Sequence, residues 1–261
     1  MLTGIDHVVV AVPDLAAAGA ALEREAGLTV SDGGRHAQLG TQNRLVWFAD
    51  SYLELLAVFD RRLAATSWIG APTLRRLDDG GGFVAVALAS SDLEADLALL
   101  RARGSVLRGP LPGERVRPDG GVVRWRLALP PELDARDPVF LIEHDPQGAE
   151  WDDAARRERA QQTHPAGGTV RLSRVELALP DPQATLRRLR HDLGLAFRPS
   201  LAGGGARDAS IGSQVLRVRG ASRAARTHAD SLPAAAVALR LAGGEGRSMN
   251  LAGVRLIFEA G

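Results

Sequence analysis

The 261-residue chain has no cysteine and no lysine. Without cysteine there is no disulfide framework, no thiolate nucleophile and no thiolate metal site, so a metal must be held by histidine, carboxylate or amide oxygen. Without lysine, Schiff-base and lysine general-base chemistry are excluded. All 32 basic residues are arginine, a bias that a GC-rich genome produces. The 31 acidic residues leave a net charge of +1, and such balance forms no basic stripe for a nucleic-acid partner. No apolar run approaches the ~18 residues of a membrane span, and no leader-like segment precedes the first strand. No membrane partner and a cytoplasmic location are therefore expected. Phosphate-loop, dinucleotide and nucleophile-elbow motifs are absent, since Gly80–Gly82 and Gly203–Gly205 lack the required spacing. What remains is 45% hydrophobic content, enough for a globular protein with a sizeable core.

A strand-helix-strand pattern recurs weakly, three times. The first unit spans about Gly4 to Asp60. The strand Asp6–Val12 leads to an Ala-rich helix with Asp14 as candidate N-cap and Gly27 as its stop. The unit closes on the run Tyr52–Val58. The second unit, Phe83 to Asp145, has a strand Phe83–Leu88, a helix Leu93–Arg103 capped by Ser91 or Asp92, and strands Val122–Leu129 and Val139–His144. The third begins near Thr169, where Val175–Asp181 repeats the first opening. The helix Pro182–Leu193 follows, then strands Gln214–Arg219, Ala234–Leu241 and Val254–Glu259. Asp79–Gly82 reads as a flexible linker, Asp152–Thr163 as a short solvated helix, and Leu201–Arg207 as a loop.

His7 opens an apolar, β-branched strand and Glu54 sits inside another. A buried carboxylate is costly unless paired or bound to a cation. The pair is either half of a metal site or a solvated histidine and a salt-bridged glutamate.

His7 seven residues before Asp14, with Glu54 in Tyr-Leu-Glu-Leu, resembles the vicinal oxygen chelate superfamily of glyoxalase I, bleomycin-resistance proteins and extradiol dioxygenases. Gly33–His36, Gly40–Leu45, Arg117–Gly120, Trp125–Leu127 and Val139–Glu143 resemble the narrower glyoxalase-like domain proteins. Together these cover most of residues 1 to 165. The resemblance implies an α+β fold in which repeated βαβββ units form a cup-shaped mixed sheet, with a third related unit beyond. The domains would be 1–150, holding two units, and 165–261, holding the third, divergent one. That odd unit has an apolar face without an internal partner and ends on the strand Val254–Phe258, so a homodimer is expected.

The resemblance also implies a site. His7, Glu54 and Glu143 match three metal positions, and Phe83 falls on the fourth. Strand parity supports this by placing His7, Glu54 and Glu143 in the cup, with Arg124 and Arg126, and placing Phe140 and Ile142 under the helix. His36 would supply a nitrogen or contact substrate, and Glu143 with His36 would carry catalysis. Asn43, Arg44, Arg117, Arg124, Trp125 and Arg126 would bind a small, anionic metabolite, because arginine forks match carboxylate and phosphate. His144 reads as structural, His164 as a loop anchor, and His191 and His228 as carrying no signal. One divalent metal (Zn, Ni, Mn or Fe) would serve an isomerase, lyase or dioxygenase. The alternative is a metal-free binding or resistance protein of the bleomycin-resistance type, using Phe48, Tyr52, Phe83 and Trp125.

Overall fold

The structure is a computed structural model that describes residues 1–134, 136–148, 150–165, 168–221, 236–242 and 246–259. His228 and residues 234–235 lie outside this set. The first unit is β1 (Leu2–Ala11), α1 (Leu15–Ala21) running into a π-helical turn (Leu22–Ala26), β2 (Ser31–His36), β3 (Thr41–Phe48) and β4 (Ser51–Val58). Asp14 starts α1 by accepting hydrogen bonds from the amides of Ala16 and Ala17. A linker holds α2 (Arg61–Thr66) and α3 (Gly70–Asp78). The second unit is β5 (Gly82–Ser90), α4 (Leu93–Arg101), β6 (Arg108–Val116), β7 (Val122–Leu129) and β8 (Val139–His144). Asp92 caps α4 as Asp14 caps α1.

These eight strands close into a barrel in the order β1-β4-β3-β2-β6-β7-β8-β5. The seam between β2 and β6 is one residue pair, Arg35 with Val116. Glycine makes the approach possible: a Cβ on Gly34 would lie 2.2 Å from the Val116 carbonyl oxygen.

Beyond α5 (Asp153–Gln161) come β9 (Arg171–Leu179), α6 (Pro182–Leu193), β10 (Arg198–Pro199), β11 (Arg207–Ile211) and β12 (Gln214–Gly220). The chain ends with β13 (Ala236–Ala242), β14 (Ser248–Leu251) and β15 (Val254–Glu259). They form a seven-stranded sheet, β10-β11-β12-β9-β13-β15-β14. β9 pairs in parallel with β12 and antiparallel with β13, as β1 does with β4 and β5. β13 pairs in parallel with β15, as β5 does with β8. The sheet therefore repeats the barrel's central pairings.

The strand Val254–Phe258 is interior to this sheet, with β14 outside it, so it is not an edge. The apolar face of the sheet is covered within the chain. Val175, Leu177, Leu216 and Val218 share one core with Val8, Val10, Leu53 and Leu55 on the outside of the barrel. Burial within one chain removes the ground on which a homodimer was expected.

The two sheets are also joined by a polar staple. Gln214, 9% exposed, accepts from the Ile5 amide at 2.5 Å and donates to Ser51 Oγ at 2.8 Å and to the Leu172 carbonyl at 3.1 Å. Replacing Gln214 with Ala strands the buried Ile5 amide, so chemical denaturation should show a loss of about 1–3 kcal/mol. An unchanged midpoint would show that the staple contributes nothing.

Candidate functional site

β1 carries a bulge at Asp6. Ile5 pairs with Leu88 and His7 with Ala87, so one extra residue stands on β1. On either side, alternation holds: Val8 and Val10 face the helices, and His7 and Val9 face the inside of the barrel. Asp6, 1% exposed, accepts from His7 Nδ1 at 2.6 Å and from His144 Nε2 at 3.1 Å. Burial alone would raise the Asp6 carboxyl, but the two imidazoles outweigh it and hold Asp6 well below the usual carboxylate range. An ionised carboxylate only accepts, so both ring nitrogens donate to it.

That arrangement turns His7 Nε2 into the cavity, 3.7 Å from Glu54 Oε2. Asn43 Nδ2 donates to Glu54 Oε1 at 2.6 Å, and Asn43 Oδ1 accepts from the Gly34 amide. The His7 ring stacks on Tyr52, centroids 4.5 Å apart. His36 lines the same cavity, with Nδ1 2.9 Å from Thr41 Oγ1. Burial, opposed by Glu54 and helped by Arg115 and His7, lowers His36 to about 4. Arg115 donates to Glu150 and to the Gly33 carbonyl, both at 2.6 Å. Trp151 stacks on His144 at 3.7 Å, and α5, the short and largely exposed helix expected here, lays Arg159 over Trp151. The cavity measures about 40 Å³, room for a few waters or the head of a small molecule. A groove of about 840 Å³ adjoins it and shares Leu39, Trp68, Trp125, Leu127 and His144.

The first unit's residues come together: His7, His36, Asn43 and Glu54 all line the cavity. The second unit's parity is the reverse of that expected. Phe140 and Ile142 face the cavity, and so does His144. Glu143 lies on the helix side, where it accepts from the Leu93 amide and from Arg126 Nε at 2.9 Å. His7, Glu54 and Glu143 therefore do not converge. Phe83 also packs on the helix side, and the inward positions of β5 are Ala85 and Ala87. The cause is that β5 and β8 are apolar on both faces, so hydrophobicity does not mark which face meets the helix.

Of the expected binding residues, Trp125 lines the cavity and the groove. Arg124 and Arg126 lie outside the cavity, along the groove, paired with Glu114 and Glu143. Arg44 faces α1, 3.4 Å from Asp32. Arg117 pairs with Asp119 at 2.8 Å and reaches Glu150 at 3.7 Å. His164 anchors its loop, accepting from the Thr29 amide and bonding the Trp47 carbonyl. Asp6, His144, Arg115 and Glu150 were not anticipated. The Asp6–His7 adjacency was a usable signal; the other three reach the site only through tertiary folding.

Among the described residues no group of three His, Asp or Glu is placed to hold a metal. His7 Nε2 and Glu54 Oε2 lie 3.7 Å apart in the cavity. The inward positions on β5 and β8 next to them are Ala85, Ala87, Phe140 and Ile142, which offer no ligand atom. A four-ligand divalent site does not fit this donor set.

A family model described as a glyoxalase-like domain matches residues 5–193. The chain belongs to the glyoxalase-like domain family. The fold of the family member is shared over the whole length of both chains by a hypothetical protein from Staphylococcus aureus, 18% identical, with a TM-score of 0.75. Methylmalonyl-CoA epimerase from Mycobacterium tuberculosis is 24% identical over 56% of this chain and 91% of its own, with a TM-score of 0.42. The Streptomyces coelicolor epimerase in complex with 2-nitronate-propionyl-CoA is 24% identical over 55% and 98%, at 0.41. No protein of curated function matches the chain. No helix among the described residues is long and apolar enough to cross a membrane.

The lowered His36 sets a pH dependence. Between pH 6.5 and about 4 the unfolded chain binds a proton at His36 that the folded chain refuses, so stability falls as pH falls through this window. His144, lowered by burial against the pull of Asp6, acts in the same direction. Urea titrations at pH 7 and pH 5 should show wild type losing up to about 1.4 kcal/mol per pH unit per histidine. His36→Gln should flatten that slope; an unaltered slope would place the proton uptake elsewhere.

Proposed function

We propose that this family member is a small-molecule enzyme whose cavity moves a proton on a carbonyl-bearing substrate, in the manner of an isomerase or lyase. The observation that supports it is the buried pair His7 Nε2 and Glu54 Oε2, facing each other at 3.7 Å inside a cavity. With Asp6 holding Nδ1–H, Nε2 carries the free lone pair and acts as the base. Glu54, oriented by Asn43, holds the other oxygen edge of the site. His36 is neutral at pH 7 because of its burial. With Thr41 donating to its Nδ1, its Nε2–H is the hydrogen-bond donor that polarises the substrate oxygen, as a neutral imidazole can. Tyr52, Phe140 and Trp125 give the cavity apolar walls, which strengthen the electrostatics of the exchange.

The competing reading, a metal-free binding or resistance protein, uses the same aromatic walls without chemistry. Deuterium incorporation separates the two. Short α-hydroxy and 2-substituted β-dicarbonyl compounds are incubated with the protein in D₂O, and α-carbon exchange is followed by proton NMR. The wild type should exchange at least one compound, and His7→Ala or Glu54→Gln should slow it by about 10²–10⁴-fold. Exchange that survives both substitutions removes the assigned base. Equal exchange with and without added Zn, Ni, Mn or Fe is expected; dependence on one of them would install a metal in place of the free base. A homodimer would have to form through a surface other than the covered sheet face, and sedimentation velocity at micromolar concentration reads it directly.

A further inference from the structure

The cavity and the groove differ about twentyfold in volume, 40 against 840 Å³, yet meet at one throat. The cavity admits only a small polar head. The groove has the volume of a site for a far larger molecule. It starts at the throat residues Trp68, Trp125 and Leu127 and runs out over Leu111, which is 39% exposed in solvent. Val116, 41% exposed, lies on the same groove, so its lining offers apolar surface beyond the throat.

Three arginines line the groove. Arg124 is 3.6 Å from Glu114, and Arg126 is bound to Glu143 and 3.6 Å from Glu94, so their charges are already answered. Arg35 differs. Its guanidinium lies 5.0 Å over the Phe59 ring, and among the described residues no carboxylate lies within ion-pair distance. An exposed guanidinium fixed on an aromatic face is a ready partner for an anionic group.

We propose, resting on the cavity as the reacting site, that the groove holds the body of a two-part substrate. Its oxygen-bearing head enters the cavity, its alkyl or aryl body crosses Trp68, Trp125 and Leu111, and an anionic group on that body meets Arg35. The substrate class is thus an amphipathic organic anion, larger than the compounds that fill the cavity alone.

The test uses octanoate, butyrate and 1-octanol as probes, with the full-length chain, by calorimetry and by tryptophan fluorescence. Octanoate should bind about tenfold or more tightly than butyrate, because the added methylenes leave water in the groove. Arg35→Ala should weaken octanoate about tenfold and leave 1-octanol unchanged. Leu111→Glu should weaken both octanoate and 1-octanol. Arg35 and Leu111 are exposed, and unchanged melting temperatures confirm that both variants fold. Equal affinity for butyrate and octanoate, or octanoate binding indifferent to both substitutions, overturns the proposal. Binding is read here without turnover. A failed groove therefore leaves the proton-transfer reading standing, and a failed deuterium exchange leaves the groove standing.

Discussion

The arrangement of the barrel depends on one buried carboxylate. Asp6 is 1% exposed and takes ring N–H groups from His7 on β1 and His144 on β8. Removing such a charge from water costs several kcal/mol, which only close, well-directed partners offset. Those partners come from both units, so the contact that neutralises the charge also fixes how the two halves of the barrel meet. It also orients His7, whose Nε2 then lies 3.7 Å from Glu54 Oε2. The bulge is the backbone device behind this. Without the extra residue, Asp6 would fall on the helix-facing side with Val8 and Val10.

The seven-stranded sheet shows how little of this the fold itself requires. β9 and β12 pair as β1 and β4 do, with Arg174 in the register of His7 and Arg217 in that of Glu54. There the charges answer one another: Arg217 is held by Asp208 at 2.7 Å and lies 3.6 Å from Glu176, which also meets Arg174 at 3.4 Å. One framework thus carries a histidine–glutamate pair in a cavity in one place and an ion-pair network in another. Function here belongs to the grafted side chains.

The α+β repeat architecture was legible because the punctuation is strong: Asp14, Asp92 and Asp181 cap the helix of each unit, and Gly27 and Gly194 end two of them in the left-handed conformation. The first unit's site was legible as well, because β1 and β4 each set polar His7 and Glu54 against a uniformly apolar opposite face. The second unit was not. β8 offers Val139 and Leu141 to α4 and Phe140 and Ile142 to the cavity, so hydrophobicity is the same on both faces. The first polar residues, Glu143 and His144, then came out on the wrong sides. Arginine was a weaker guide for a related reason: with no lysine in the chain it also serves the ordinary ion pairs, and Arg124 and Arg126, although on the groove, are each paired with a glutamate.

The Ile5 amide that Gln214 holds is next to Asp6 in the chain, so the bulge at the heart of the cavity and the far sheet share one polar contact. Such a contact is a term in a thermodynamic cycle. Its loss would be felt at both ends, in the docking of β12 and in the order of the strand that carries Asp6.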